Sequence, residues 1–84
     1  SLGGIMKLIP GMNKLDSGQL EKGESELKKA ESMINSMTVE ERKNPDLLAK
    51  SPSRRRRIAK GSGYSEADVG ELVSKFQKMR NMMQ

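Results

Sequence analysis

The chain has 84 residues, of which 33% are hydrophobic and only Tyr64 and Phe76 are aromatic, so it forms one small domain with a modest core. It contains no cysteine and no histidine, which excludes disulfides, Cys/His zinc sites and the usual cysteine or histidine catalysis. Its net charge of +5 favours polyanions or anionic membrane surfaces as partners, while no apolar run is long enough to span a bilayer and no cleavable signal pattern is present.

The first segment, SLGGIMKLIPGM (1–12), is apolar but broken by three glycines and a proline, so we do not expect a stable helix there. Flexible methionine side chains are typical of surfaces that bind apolar partners of varied sequence. We therefore predict a loop that folds over a groove and binds apolar helices. A segment that lies on a membrane surface is the alternative. The side chains concerned are Met6, Leu8, Ile9 and Met12.

Helical spacing then predicts a helix from about residue 18 to residue 36. Thr38 and Glu41 form a capping box that opens a short helix of about one to two turns. Another helix is predicted to start here, with Asn44 as its N-cap and Pro45 as its first helical residue. The apolar positions of the first of these helices are Leu20, Leu27, Ala30, Met33, Ile34 and Met37.

A basic helix is predicted from about residue 52 to residue 60. Ser51 and Pro52 form a start signal, and Gly61 is expected to stop the helix in the left-handed conformation that suits a helix end. Residues 50–63 carry six basic side chains and no acid, whereas the remaining seventy residues hold ten bases and eleven acids. The basic character of the chain is therefore a patch.

The arginines of this helix divide into faces. Arg54 and Arg57 share one face, which continues to the glycine at the helix end, and Arg56 and Lys60 share the face beside it. Arg55 lies off both faces. If the helix binds a polyanion, loss of Arg55 should therefore cost least.

Ser65 and Asp68 open the last helix, whose first turn is acidic and whose later residues form a continuous apolar stripe. No alternating strand pattern is found, so the fold class is all-α, a small helical bundle. Residues 52–82 together have the pattern of a helix-turn-helix, for which an ordinary helical corner is the alternative. The stripe consists of Val69, Leu72, Val73, Phe76, Met79 and Met83.

The charge pattern favours RNA over DNA. A DNA-reading helix-turn-helix enters the major groove with the N-terminal end of its second helix, and here that end carries Glu66, Asp68 and Glu71. The two basic faces, and a Gly-Ser-Gly turn whose backbone can approach a ligand and offer amides, suit an irregular RNA. Aromatic platforms for stacking single-stranded bases are missing from the sequence. A nuclear localisation signal and a solvated charge run remain alternatives.

Seven methionines in 84 residues are unusual. We expect Met37 and Met79 to fill the core. The methionines of residues 1–12 and the pair Met82 and Met83 are more typical of an apolar binding surface.

Four segments together resemble the M domain of the signal-sequence-binding GTPase subunit of the signal recognition particle (SRP). MTVEERKNPDLL resembles the family's Met-Thr-x-x-Glu-Arg segment, SRRRRIAKGSG its RNA-binding signature, LVSKFQKMRNMM its Met-rich last helix and SLGGIMKLIPGM its finger loop. The spacing Ala-Lys-Ser-Pro-Ser before the arginines resembles the cyanobacterial and plastid branch. The resemblance implies a flexible finger loop over 1–16 and a helical core over 17–84, with the helix-turn-helix at 52–82.

The resemblance implies two sets of binding residues and no catalytic or metal-binding ones. Contacts to SRP RNA are implied for Ser53, Arg54, Arg56, Arg57, Gly61, Ser62 and Gly63, and the second basic face adds Lys60. Signal-peptide contacts are implied for the finger-loop residues Ile5, Met6, Leu8, Ile9 and Met12, and for Met33, Ile34, Met37, Phe76, Met79 and Met83.

The implied function is non-enzymatic and needs no cofactor: binding of SRP RNA and apolar signal peptides for co-translational targeting. No GxxxxGK[ST] phosphate loop is present, so GTPase activity is expected in a domain outside this chain. The ribosome and the SRP receptor would be partners of the full-length protein, in the cytoplasm or the chloroplast stroma. The family's first helix is expected to precede Ser1, which leaves the groove incomplete or filled by another chain and allows a swapped or dimeric packing of the finger loop.

The rival hypothesis is a plastid-type targeting adaptor whose arginines meet an acidic protein instead of RNA. Some plastid members that have lost the RNA carry an acid at the position of Gly61. Glycine at this position favours RNA binding.

Overall fold

The computed structural model describes residues 4–5, 8–11 and 16–84, and five helices make up the continuous part, residues 16–84. The described residues contain no strand, which confirms the all-α class and the small bundle. Among them, no helix is both long and apolar enough to cross a bilayer. The helices are α1 (Ser17–Asn35), α2 (Val39–Lys43), α3 (Asp46–Ala49), α4 (Pro52–Ser62) and α5 (Glu66–Met82).

Side-chain caps determine where the helices begin. In α2 the Glu41 amide donates to Thr38 Oγ1 at 3.1 Å, and the Thr38 amide donates back to Glu41 Oε1 at 2.9 Å. The predicted box of Ser65 and Asp68 at α5 is confirmed in the same way. Each box satisfies two amides that the first turn leaves without helical partners.

Two predicted boundaries are wrong. Pro45 occupies the cap position of α3, and the helix begins at Asp46 rather than at Pro45. The basic helix does not stop at Gly61 but runs to Ser62, and the left-handed residue is Gly63, with φ of 81°.

Gly61 lies against the end of α1. A Cβ atom built on Gly61 would lie 3.4 Å from the Oγ of Ser36, at the C-terminal end of α1. That distance is ordinary van der Waals contact, so a side chain would fit at this position. The chain reverses two residues later at Gly63, whose left-handed conformation favours glycine.

The core lies where α4 and α5 pack against each other and against α1 and α3. Met37 is buried there, as predicted, whereas Met79 is 54% exposed, so its prediction as core filler is wrong. The stripe of α5 turns away from the core beyond Phe76, which is half-buried. The buried cluster consists of Met33, Met37, Leu48, Ile58, Ala59, Val69, Leu72 and Val73.

In the expected finger loop, Gly4 and Ile5 are helical, and the Leu8 amide donates to the Ile5 carbonyl at 3.1 Å. The large apolar side chains exposed here are those of Ile5, Leu8 and Ile9. Met6 and Met12 lie outside the described residues.

We expect Gly63→Ala to lower the free energy of unfolding by about 1–2 kcal/mol, because alanine is strained in the left-handed conformation. Gly23→Ala is the matched control, since Gly23 lies inside α1 and a Cβ added there would have no atom within 4 Å. That change should instead stabilise the chain by about 0.5–1 kcal/mol. Urea denaturation of both variants measures the two effects, and equal effects would contradict the assignment of Gly63 as the reversal point.

Candidate functional site

The basic face of α4 is built around the carboxylate of Glu41, which is 0% exposed. Arg54 Nη1 donates to Glu41 Oε2 at 2.9 Å, and Arg57 Nη2 donates to both carboxylate oxygens. The Thr38 amide completes the set of donors. A single buried carboxylate therefore holds two of the four consecutive arginines.

Glu41 is ionised despite its burial. Burial by itself raises the pKa of this carboxyl, but the Thr38 amide and the guanidiniums of Arg57 and Arg54 outweigh it and lower the pKa from 4.5 to about 2. The negative charge is thus present at neutral pH, and it fixes the positions of both guanidiniums.

Arg54 and Arg57 remain available to a ligand. Their side chains are 37% and 49% exposed, although the carboxylate they share is not. Each guanidinium has five N–H donors and uses one nitrogen on Glu41. The remaining donors can bind the oxygens of a phosphate in a fixed arrangement.

Arg55 has a structural role that the sequence analysis did not predict. Its Nη1 donates to the carbonyls of Leu48 at 2.6 Å and Ala49 at 2.9 Å, and its Nε lies 3.9 Å from Glu66 Oε1. Arg55 thus caps the C-terminal end of α3 and faces the start of α5. The helical positions indicated correctly that it lies off the basic faces, but not what it would contact.

Ser53, Arg56 and Lys60 form the outer part of the basic face. All three are exposed, and within the described part of the chain no acidic side chain pairs with Arg56 or Lys60. These two cations can therefore meet a polyanion without first breaking an ion pair.

The turn after α4 differs from the expectation that it would offer free amides. The Gly63 amide donates to the Ala59 carbonyl at 3.0 Å, and the Ser62 hydroxyl donates to the same carbonyl at 3.3 Å. The Gly63 amide is not free to bind a ligand, because its hydrogen bond to Ala59 closes the last turn of α4.

The acids at the start of α5 are also engaged within the chain. Lys29 Nζ of α1 lies 2.7 Å from Asp68 Oδ1 and 5.7 Å from the centre of the Tyr64 ring. The hydrogen bond from Lys29, followed by those from Ser65, lowers the pKa of Asp68 to about 2. Asp68 thus joins α5 to α1, whereas Glu66 lies beside Arg55 of α4 and Glu71 pairs with Lys75 within α5.

An apolar groove of about 470 Å³ lies beside the second half of α5. One wall is the connection from α2 to α3, and the other includes Phe76, Met79 and Met83. A smaller cavity of about 200 Å³ shares Phe76 with this groove and adds Ile34 and Met37. The structure thus brings together five of the residues for which signal-peptide contacts were implied.

Met33 lies apart from this groove. It is buried in the core and lines a separate cavity of about 240 Å³ between α1 and α5. In residues 4–5, 8–11 and 16–84 no three acidic side chains converge on a place that could hold a metal ion.

Comparison with known proteins gives a consistent result. Residues 1–84 match the family described as "Signal peptide binding domain". The chain is 74% identical over all of its 84 residues to the signal recognition particle protein of Synechocystis sp., and 56% identical over 77 residues (90% of the chain) to that of Synechococcus elongatus. It is 39% identical over 94% of its length to the signal recognition particle protein of Bacillus subtilis.

The chain spans only 17%, 16% and 18% of the lengths of these three proteins. No solved structure gives a significant match. The first two proteins are cyanobacterial, in agreement with the branch that the spacing before the arginines resembles.

We expect Glu41→Gln to lower the free energy of unfolding at pH 7 by about 2–4 kcal/mol, because both guanidiniums lose their shared charge while a buried amide remains. The folded pKa of Glu41 lies below its ordinary value, so its contribution is present above about pH 4.5 and is lost as the pH falls towards 2. Chemical denaturation at pH 7 and pH 2.5 should therefore show a smaller difference from wild type at the lower pH.

Glu40→Gln is the control for this experiment, since Glu40 is an exposed neighbour on the same helix. It should change stability little at either pH. A deficit of Glu41→Gln that is independent of pH would contradict the assigned role of the carboxylate.

Proposed function

Since this chain belongs to the signal peptide binding domain family, the M domain of signal recognition particle proteins, we propose that it binds the particle's RNA through α4 and apolar signal peptides through the groove beside α5. The observation that carries the RNA half is the pair Arg54 and Arg57 on the buried carboxylate of Glu41. The observation that carries the peptide half is the apolar wall of the half-buried Phe76 and the exposed Met79 and Met83.

The proposed RNA surface has an ordered and an adaptable part. Arg54 and Arg57 are held in place, so they lose little side-chain entropy when they bind phosphates. Arg56 and Lys60 are exposed and add charge that attracts RNA over a longer range. An ordered pair of guanidiniums suits a ligand of defined, irregular shape, such as the internal loops of a folded RNA.

The proposed peptide surface combines flexible and fixed side chains. Met79 of α5 and Met83, the residue directly after the end of α5, are one helical turn apart, and both are largely exposed. Phe76 packs against the core and is the fixed side chain of the groove, and it also lines the smaller cavity in which Met37 lies. Flexible methionines beside this fixed side chain can adapt to apolar helices of different sequence, as binding of many signal peptides requires.

We extend the proposal to residues 1–16 as a finger loop that closes over this groove with Leu8 and Ile9. Both side chains are exposed, as a loop that awaits an apolar partner would have them. GTPase activity, the ribosome and the SRP receptor belong to the full-length protein, and we propose the cytoplasm, or the stroma of a plastid, as its location.

Arg56→Gln combined with Lys60→Gln should weaken binding to the SRP RNA hairpin and reduce the slope of log affinity against log salt by about one for each phosphate that is no longer neutralised. Neither residue has an acidic partner in the described part of the chain, so we expect little change in stability. Filter binding at two salt concentrations, with circular dichroism for folding, measures both effects.

The control variant is Lys22→Gln, an exposed lysine in the first half of α1. If the double variant and this control bind RNA equally well, Arg56 and Lys60 do not contribute to RNA binding, and the adaptable part of the proposed surface is wrong. If the wild-type chain does not bind the RNA at low salt, the adaptor hypothesis is favoured instead.

Met79→Gln or Met83→Gln should each weaken binding of a fluorescently labelled, leucine-rich signal peptide by about 5- to 10-fold, because less apolar surface is buried against the peptide. Met82→Gln is the control, since Met82 is 82% exposed but does not line the groove. Met83→Leu should keep the affinity. Equal losses of affinity for Met82→Gln and Met83→Gln would place the peptide elsewhere.

A further inference from the structure

The two walls of the apolar groove are joined through Asp46, the first residue of α3. Arg80 Nη1 donates to Asp46 Oδ2 at 3.0 Å and Arg80 Nη2 donates to Oδ1 at 3.1 Å, while Gln77 Nε2 also donates to Oδ1 at 3.1 Å. One segment of the chain consists of the α2–α3 connection and the start of α3. Within residues 16–84, every side-chain hydrogen bond between this segment and the second half of α5 is accepted by the Asp46 carboxylate.

These hydrogen bonds lie directly beside the apolar lining. Gln77 and Arg80 are three residues apart, on one face of α5, and both line the groove together with Met79 and Met83. The two-pronged contact of Arg80 fixes direction as well as distance, because a planar guanidinium matches a planar carboxylate. Asp46 thus adds directed hydrogen bonds between its wall and α5 to the packing of α3 against α5.

The wall that carries Asp46 is anchored at both of its ends by other contacts. At one end, Arg42 Nε donates to the Ile34 carbonyl of α1 at 3.0 Å. At the other end, Leu48 of α3 is fully buried in the core. Breaking the hydrogen bonds of Asp46 would therefore loosen this segment from α5 without unfolding the bundle, since the Asn44 amide still donates to the Glu40 carbonyl at 2.9 Å.

We propose that Asp46, Gln77 and Arg80 form a latch that sets the width of the groove and, through it, the affinity for an apolar helix. The second half of this inference rests on the proposed peptide-binding function. Asp46 and Arg80 act as positioning residues, since they hold the walls on which the peptide would lie.

The exposure of the latch suits this role. The side chains of Arg80 and Asp46 are 47% and 37% exposed, so water competes for their hydrogen bonds and the latch can open. Arg80, and after it Gln77, lower the pKa of Asp46 below its ordinary value, so the carboxylate is ionised at neutral pH. When the latch is closed, both walls of the groove are already held in place. Less conformational entropy of the groove is then lost when a peptide binds.

The test compares Asp46→Asn with Glu71→Gln, which removes the exposed ion pair of Glu71 and Lys75 at 3.3 Å on the same helix but outside the groove. Groove width is measured as the distance between spin labels on Lys43→Cys and Gln84→Cys, because the chain has no cysteine of its own. Peptide affinity is measured on unlabelled chains with a fluorescent leucine-rich peptide.

We expect Asp46→Asn to broaden the distance distribution and to weaken peptide binding by about 3- to 10-fold, and Glu71→Gln to do neither. Arg80→Gln should reproduce the effect of Asp46→Asn, and the two changes together should cost little more than either alone, as expected for residues that act as a unit. A general loss of structure would instead appear in the thermal melts of the variants.

An unchanged distance distribution in both Asp46→Asn and Arg80→Gln would overturn the latch. A broadened distribution with unchanged peptide affinity would overturn the link between groove width and binding. If the wild-type chain bound no apolar peptide, the proposed function would fail, and the distance measurement alone would still decide whether the latch exists.

Discussion

The buried carboxylate of Glu41 connects the start of α2 to two arginines of α4 that lie 13 and 16 residues further along the chain. A charge can be buried in this way only where hydrogen bonds and opposite charges replace its water, and Thr38, Arg54 and Arg57 together supply them. The basic face of α4 therefore cannot rearrange without leaving a buried charge unpaired. The capping box of α2 and the proposed RNA surface depend on the same carboxyl group.

This arrangement gives the four consecutive arginines different roles. Arg54 and Arg57 are held by a carboxylate and Arg55 by two carbonyls, whereas Arg56 is exposed on the outer side of the helix. A charge run that is uniform in sequence is therefore divided in space into ordered, structural and adaptable parts. Such a surface can combine a fixed contact geometry with a general attraction to polyanions.

The two proposed binding surfaces share one core. Ile58 of α4 and Val69 of α5 are both fully buried in it, while the basic face and the apolar groove lie on outer sides of the same two helices. In an 84-residue chain, little surface can be buried, and one core must support every binding surface. The half-exposed Asp46 latch lies where the groove extends beyond that core.

The sequence by itself determined the fold class, the capping boxes of α2 and α5, the range of α1 to within a residue and the stretch that carries the basic side chains. These features depend on residues no more than about four positions apart, through caps and helical periodicity. The end of α4 at Gly63, the partnership of Glu41 with Arg54 and Arg57, and the hydrogen bonds of Asp46 were decided by the tertiary structure. Each of these features depends on which helix surfaces contact each other; Gly61 of α4, for example, lies against Ser36 at the end of α1. The packing of the whole core determines which helix surfaces come into contact.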